Sequence, residues 1–319
     1  MSLRPNKLGI INIRHTAIDT CRVISWLRPM VSLLLILLAT SCSNKSAPGN
    51  VASTLETSTV KNILVINTNN SLERYSVSQA AFTKTIHAVA SKNSRSITTI
   101  DLNMDNSPID TLQDILNQHH YDAIYCIGAK ALGSIDYIDP ESPVFFSSVL
   151  NWRRFIGQPN YSGIASEVPA EAQLTWFKYF FPEIKKIGVL YSANNRKLIQ
   201  DASLAAEKLS ISIIGKEVES DANLLAHADT LISNVDALWL ISDSTVLKSS
   251  DNAKKLFAAA HQHKTPVFSY NPVFVEMGAV LSISADIPTT GRQAALIMNN
   301  LLKGVDGQAS IQFPAGSSI

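Results

Sequence analysis

From about residue 60 onward, short runs rich in aliphatic and β-branched residues alternate with stretches whose apolar residues recur at helical spacing. Ile63-Leu64-Val65-Ile66-Asn67, Ile97-Thr98-Thr99-Ile100-Asp101, Ala123-Ile124-Tyr125-Cys126-Ile127-Gly128 and Val144-Phe145-Phe146-Ser147-Ser148 read as strands. Between the first two, Val77, Ala81, Phe82, Ile86, Val89 and Ala88 mark an amphipathic helix, and Leu112, Ile115 and Leu116 a shorter one. The segment between the third and fourth strands is short, with Pro140 and Pro143 bounding a loop. The pattern then restarts. Leu174, Phe177 and Phe181 share a helical face that Pro182 ends. Strands follow at 187–191, 211–214, 237–241, 267–268 and 279–283, with helical stripes at Leu198/Ala202/Ala205/Leu209 and Ala253/Leu256/Phe257/Ala260. A last helix carries Ala294, Ala295, Ile297, Met298, Leu301 and Leu302, and Gly304 caps it. Strands apolar on both faces, alternating with helices, require parallel sheets covered on both sides. Two successive sets imply an α/β chain of two Rossmann-like lobes. The expected division is 60–162 with about 286–305 for the first lobe, and 163–285 with about 306–319 for the second. Pro288 disfavours helix at Ile287, so the chain crosses there in extended form. Asp286 and Ser166, at the crossings, are expected near the floor of the cleft.

The first 59 residues have another character. Arg22 and Arg28 precede the apolar run Val31-Ser32-Leu33-Leu34-Leu35-Ile36-Leu37-Leu38-Ala39-Thr40-Ser41, which is too short for a membrane span but fits a secretory signal. Ala39-Thr40-Ser41-Cys42 resembles a bacterial lipoprotein cleavage box, with Ala39 where a larger aliphatic residue is usual. The reading is a signal of 1–42 ending at a lipidated Cys42, then a polar, flexible tether of 43–59. The alternative is an ordinary signal cut near Ser41, with Cys42 incidental. Ser43 after the cysteine resembles the pattern of lipoproteins sorted to the outer membrane. The expected location is therefore the cell envelope, on the periplasmic face, anchored to a membrane.

Composition narrows the function. Lys+Arg 27 against Asp+Glu 26 gives a net charge of +1 with no basic tract, which argues against nucleic acid. With Cys21 and Cys42 in the leader, Cys126 alone remains, so no internal disulfide is expected and the cores must hold the fold. No nucleophile elbow, zincin motif or P-loop occurs. Gly128-Ala129-Lys130-Ala131-Leu132-Gly133 lacks dinucleotide spacing. His119-His120 and His261/His263 read as solvated helix faces. No enzyme activity, metal or cofactor is expected.

In open α/β sheets, ligands sit beyond the carboxyl ends of the strands. Those ends are rich in amides and hydroxyls: Asn67, Thr68, Asn69 and Ser71; Ser147, Ser148 and Asn151; Tyr191 and Asn194; Ser242 and Asp243; Tyr270 and Asn271. Asp286 ends a further strand. Such residues suit a polar ligand, and the same alphabet serves helix caps and turns. Asp243 or Asp286 could pair with an ammonium group. Tyr75, Trp152, Tyr191 and Tyr270 could stack on an aromatic ring.

Several segments resemble the ABC-transporter substrate-binding family that includes tryptophan- and tyrosine-type binding lipoproteins. They are Tyr161-Ser162-Gly163-Ile164; Phe181-Pro182-Glu183-Ile184-Lys185-Lys186-Ile187-Gly188-Val189-Leu190-Tyr191; Thr265-Pro266-Val267-Phe268; Gly278-Ala279-Val280-Leu281-Ser282-Ile283-Ser284; and Gly291-Arg292-Gln293-Ala294-Ala295 leading to Leu302-Lys303-Gly304. The resemblance implies a type I periplasmic-binding fold. It also implies hinge closure over a small polar organic ligand, an aromatic amino acid among the candidates, and a monomer that docks on an ABC permease. The chain departs from the family around Ser244-Thr245-Val246, and the family usually continues with a strand and helix beyond the match to Phe313-Pro314. These departures motivate a rival reading: a ligand-sensing or degenerate binding lipoprotein that signals through a membrane sensor.

Overall fold

The computed structural model describes residues 60–319 except 151, 156–157 and 305–309. The signal, Cys42, the tether and Asn151 lie outside the described residues.

The first half runs β1 (Lys61–Asn67), α1 (Glu73–Lys92), β2 (Ile97–Asn103), α2 (Ile109–Gln118), β3 (Ala123–Ile127), α3 (Ala129–Ile138), β4 (Val144–Ser147) and β5 (Tyr161–Ile164). The chain then crosses to α4 (Ala170–Phe180), β6 (Lys186–Tyr191), α5 (Arg196–Lys208), β7 (Ser212–Glu217), α6 (Leu224–Ile232), β8 (Ala237–Trp239), α7 (Ser250–His263), β9 (Val267–Ser269) and β10 (Leu281–Ser282). It returns through β11 (Ser284–Ala285) into α8 (Ile287–Leu301), and β12 (Ile311–Gln312) and β13 (Ser317–Ser318) follow.

Two parallel sheets result, in the order β12-β5-β4-β3-β1-β2 and β10-β9-β8-β6-β7. Each is apolar on both faces, because helices cover both. Alternate residues of β1 show this. Leu64 and Ile66 pack with Leu112 of α2 and with Leu132 and Ile135 of α3. Ile63 and Val65 pack with Phe82 and Ile86 of α1 and with Ala294 and Met298 of α8. In the second sheet Ile187, Val189 and Trp239 meet Phe177 of α4 and Ala202 of α5. Leu190, Leu238 and Leu240 meet Leu231 of α6 and Leu256 of α7. The α/β class with two parallel sheets agrees with the alternation in the sequence.

Four details differ from the sequence expectation, the first being that Ile287, expected extended before Pro288, opens α8, where a proline in the first turn is tolerated. Residues 129–138, given no helix in the sequence reading, form α3, because Ala131, Leu132 and Ile135 find an apolar seat on the first sheet. A helix, α6, fills the stretch before Ala237, burying Leu224, Ala228 and Leu231. The segment from about 306 was expected with the second lobe. Instead β12 joins the first sheet beside β5, with Ile311 packed against that lobe's core. β13 then pairs antiparallel with the crossing strand β11.

Candidate ligand-binding cleft

A cavity of about 140 Å³ lies where the carboxyl ends of the two sheets and the crossings meet. From the first sheet's side come Arg74 in the first turn of α1, and Ser148 and Leu150 after β4. The crossings give Ala165 and Ser166 after β5, Ser284 and Ala285 of β11, and Ile287 and Thr290 of α8. The second lobe gives Tyr270, Asn271 and Pro272 after β9. Tyr270 also lines a smaller cavity, with Glu167, Gln173, Leu198, Trp239, Ile241 and Ser242.

Four of the sequence-predicted residues line this cavity: Ser148, Tyr270 and Asn271, and Ser166 of the first crossing. Ser148 has φ 57, a left-handed conformation uncommon for a residue with a side chain, and its Oγ is buried with no hydrogen-bond partner. Burial pushes the Tyr270 phenol above its usual value. Its hydrogen bond with Ser242 and the Arg74 charge oppose that rise, while Glu167 and Asp243 add to it. Asn271 caps the short turn Pro272–Phe274, its Oδ1 accepting from Val273 N at 3.1 Å. Ser242 reaches the smaller cavity.

Most of the other predicted residues are bonded within the chain. Asn67 is buried and donates to Gln79 Oε1 at 2.7 Å while its Oδ1 accepts from Asn69 N at 3.0 Å. Asn69 Oδ1 accepts from Ser71 N at 2.9 Å, and Ser71 is exposed. Thr68 Oγ1 accepts from Ala131 N at 3.1 Å, so it caps α3, whose own N-cap Gly128 has no side chain. Gly128 has φ 91, and a Cβ there would lie 2.5 Å from Thr68 Oγ1, so both backbone shape and space require glycine. Ser147 is hydrogen-bonded to Tyr125 Oη at 2.7 Å. The Tyr191 ring covers Gly215 of β7, where a Cβ would stand 2.9 Å from it. Asn194 is exposed; its neighbour Asn195 is the buried one.

Asp243 was a candidate partner for an ammonium group, but its carboxylate is occupied by the chain itself. Oδ2 accepts from Ser192 N at 2.6 Å, Ser192 Oγ at 2.9 Å and Asn195 Nδ2 at 2.8 Å. Oδ1 accepts from Thr245 N at 2.9 Å and Val246 N at 3.0 Å. These donors fill the lone pairs a carboxylate offers. Burial alone would raise the Asp243 carboxyl; the Ser192, Asn195 and Val246 donors outweigh it and hold the group below the usual carboxylate value. Asp286 is the N-cap of α8, its Oδ1 accepting from Thr289 N at 2.8 Å; the Thr289 side-chain hydrogen bond leads in lowering its pKa, and that backbone bond adds to it.

Sequence reasoning passed over two charged groups. Arg74 sits in a helical stretch with no motif around it. Its guanidinium lies 4.4 Å over the Tyr75 ring and donates to the Tyr75 hydroxyl. Glu167 lies in the first crossing, buried, and accepts from Trp152 Nε1 at 3.0 Å and Ser166 Oγ at 2.9 Å while pairing with Arg153. Its only signal was proximity to Ser166. Among the described residues no group of three or more His, Cys, Asp or Glu side chains could hold a metal ion. No helix among them is long and apolar enough to cross a membrane.

Residues 82–316 match the model of a family described as ABC transporter substrate binding protein. A tyrosine-binding protein of Clostridioides difficile is 22% identical over 148 residues, 46% of this chain and 42% of that protein, so the match spans less than half of the relative's length. Two solved structures share the fold over 81% of this chain. One is the ligand-free, open form of a substrate-binding protein with adhesive properties from Clostridium difficile, with 90% of it covered, 18% identity and a TM-score of 0.61. The other is an ABC domain from Streptococcus pneumoniae in complex with L-Trp, with 91% of it covered, 19% identity and a TM-score of 0.54. At these identities the structural likeness carries the fold, which is of the type I periplasmic-binding kind.

Proposed function

The chain belongs to the ABC transporter substrate binding protein family, and on that premise we propose that it captures an aromatic amino acid for an ABC permease in the cell envelope. The family is one of solute-binding proteins rather than of enzymes. The observation that carries the reading is the cavity walled by both lobes and by the crossings between them. Its volume, about 140 Å³, is on the scale of the ~150 Å³ that admits a benzene ring. The tyrosine-binding relative and the L-Trp complex support the same ligand class. Ser148, Ser166, Tyr270, Asn271 and Thr290 supply hydroxyls and an amide around it.

In this reading the two lobes close about the crossings, and the ligand favours closure by its greater affinity for the closed form. Cys42 is lipidated and holds the monomer to the membrane, on the periplasmic face. Two experiments test these parts. In thermal unfolding with L-Trp, L-Tyr and L-Phe, the true ligand at a hundredfold its Kd stabilises by about 2.7 kcal/mol. Silence across the set removes the amino-acid reading. Replacing Cys42 by Ala and fractionating cells tests the anchor: the variant is expected in the soluble fraction, and unchanged membrane association refutes lipidation.

A further inference from the structure

Arg74 is the one charged side chain among the described residues that line the cavity of about 140 Å³ between the sheets. No carboxylate of the described chain stands within ion-pair distance of it. Its one hydrogen-bond partner there is the neutral Tyr75 hydroxyl, which leaves most of the five guanidinium donors free. The Ser148 hydroxyl lines the same cavity, buried and unpaired. A buried polar atom without a partner costs free energy, so a ligand that supplies one gains by it. Arg74 lies in the first turn of α1, and Ile287 and Thr290 in the first turn of α8, so two helices bring their positive ends toward this space. The acids nearby are already committed: Glu167 to Arg153, Trp152 and Ser166, and Asp243 to its turn. Uncompensated charge in the lining is therefore positive.

We infer that Arg74 is the carboxylate-binding residue of this cleft, with the Ser148 hydroxyl as a second donor, and that the site selects carboxylate-bearing ligands over the corresponding amines. The inference rests on the amino-acid reading above and deepens it. A guanidinium fork matches a carboxylate with two parallel bonds, which gives orientation as well as attraction. The carboxylate is then held at the first lobe, and the rest of the ligand points toward Tyr270 of the second.

Calorimetric titration of the wild type and Arg74→Gln with L-Trp, tryptamine and indole-3-propionate tests this. Arg74 is exposed, so its replacement leaves the fold intact, which a matching unfolding curve verifies. The expected result is L-Trp binding to the wild type, a loss of tenfold or more in Arg74→Gln, an intermediate loss in Arg74→Lys, and no measurable tryptamine binding. Equal L-Trp affinity in wild type and Arg74→Gln overturns the assignment, as does tryptamine binding as tight as L-Trp. Binding of indole-3-propionate without L-Trp, lost in Arg74→Gln, keeps Arg74 as the carboxylate residue and sinks the amino-acid reading. A wild type that binds neither carboxylate overturns both.

Discussion

Replacing Asp243 by Ala removes the acceptor from five donors at once, three of them backbone N–H groups. Donors left buried without a partner make such a change expensive, roughly 2–4 kcal/mol at neutral pH. Its pH dependence has a definite sign. The folded carboxyl has a pKa below the unfolded value of 3.8, so the stability it adds is present above that value. It is lost as pH falls through the lower, folded pKa. Urea unfolding of wild type and Asp243→Ala should therefore differ fully at pH 7, and the difference should shrink as the pH is taken down through the lowered, folded pKa. A gap that is the same at both ends would show that the charge is irrelevant. Asp243 also shows why the site was only partly legible. Short acids, amides and hydroxyls at strand ends serve caps and ligands alike, and spacing does not separate the two uses. Ser148, Tyr270 and Asn271 line the cavity, whereas Thr68, Asn69, Asp243 and Asp286 close turns and cap helices. Arg74 left no trace, because a lone arginine in the first turn of a helix has no pattern to read.

At the scale of elements, α8 is the piece that ties the chain's return to the first lobe, and Gly291 is its closest approach. A Cβ at Gly291 would lie 2.3 Å from the Ser78 carbonyl oxygen of α1 and 2.9 Å from the Ala81 Cβ. Backbone on the other side cannot give way as a flexible side chain would. Gly291→Ala should therefore force the two helices apart and cost about 1–3 kcal/mol, against the small gain an alanine brings to an unobstructed helix. A denaturant midpoint equal to or above the wild type's would refute the contact. The Asp286 cap is a milder test of the same helix: Asp286→Ala should cost about 0.5–2 kcal/mol. Long elements with a clean apolar stripe, such as α1, α5 and α7, were legible from spacing alone. α3 was not, because its stretch between β3 and Pro140 is short, and only the seat for Leu132 and Ile135 on the sheet decides it. β12 was missed for a related reason: two strand residues carry no period, and their partner β5 is 148 residues away at Ser162 and Ser310.

For the whole molecule, the decisive matter is what the crossings permit. The first, at residues 165–169, and the second, through β11 into α8, are short and lie at the cavity itself. The end of the chain is laid across the second. β13 pairs with β11, Gly316 O accepts from Asp286 N at 3.0 Å, and Gln293 donates to Phe313 O at 3.0 Å while accepting from Ala315 N at 2.8 Å. This strap belongs to the first lobe through β12 and does not line the cavity, so in the proposed closure the second crossing moves against it. Two outcomes follow if the lobes close on a ligand. Solution scattering should give a smaller radius of gyration for wild type with saturating L-Trp than without. Gln293→Ala, which frees the strap on an exposed face, should move the unliganded radius while leaving the cavity's own contacts in place. The ligand can bias the lobes only through its difference in affinity for open and closed forms. A strap mutation that changes their balance must therefore change the apparent Kd as well. If scattering is identical with and without bound L-Trp, closure is not part of binding. If the Gln293→Ala radius moves while its Kd does not, the motion exists but the ligand does not use it.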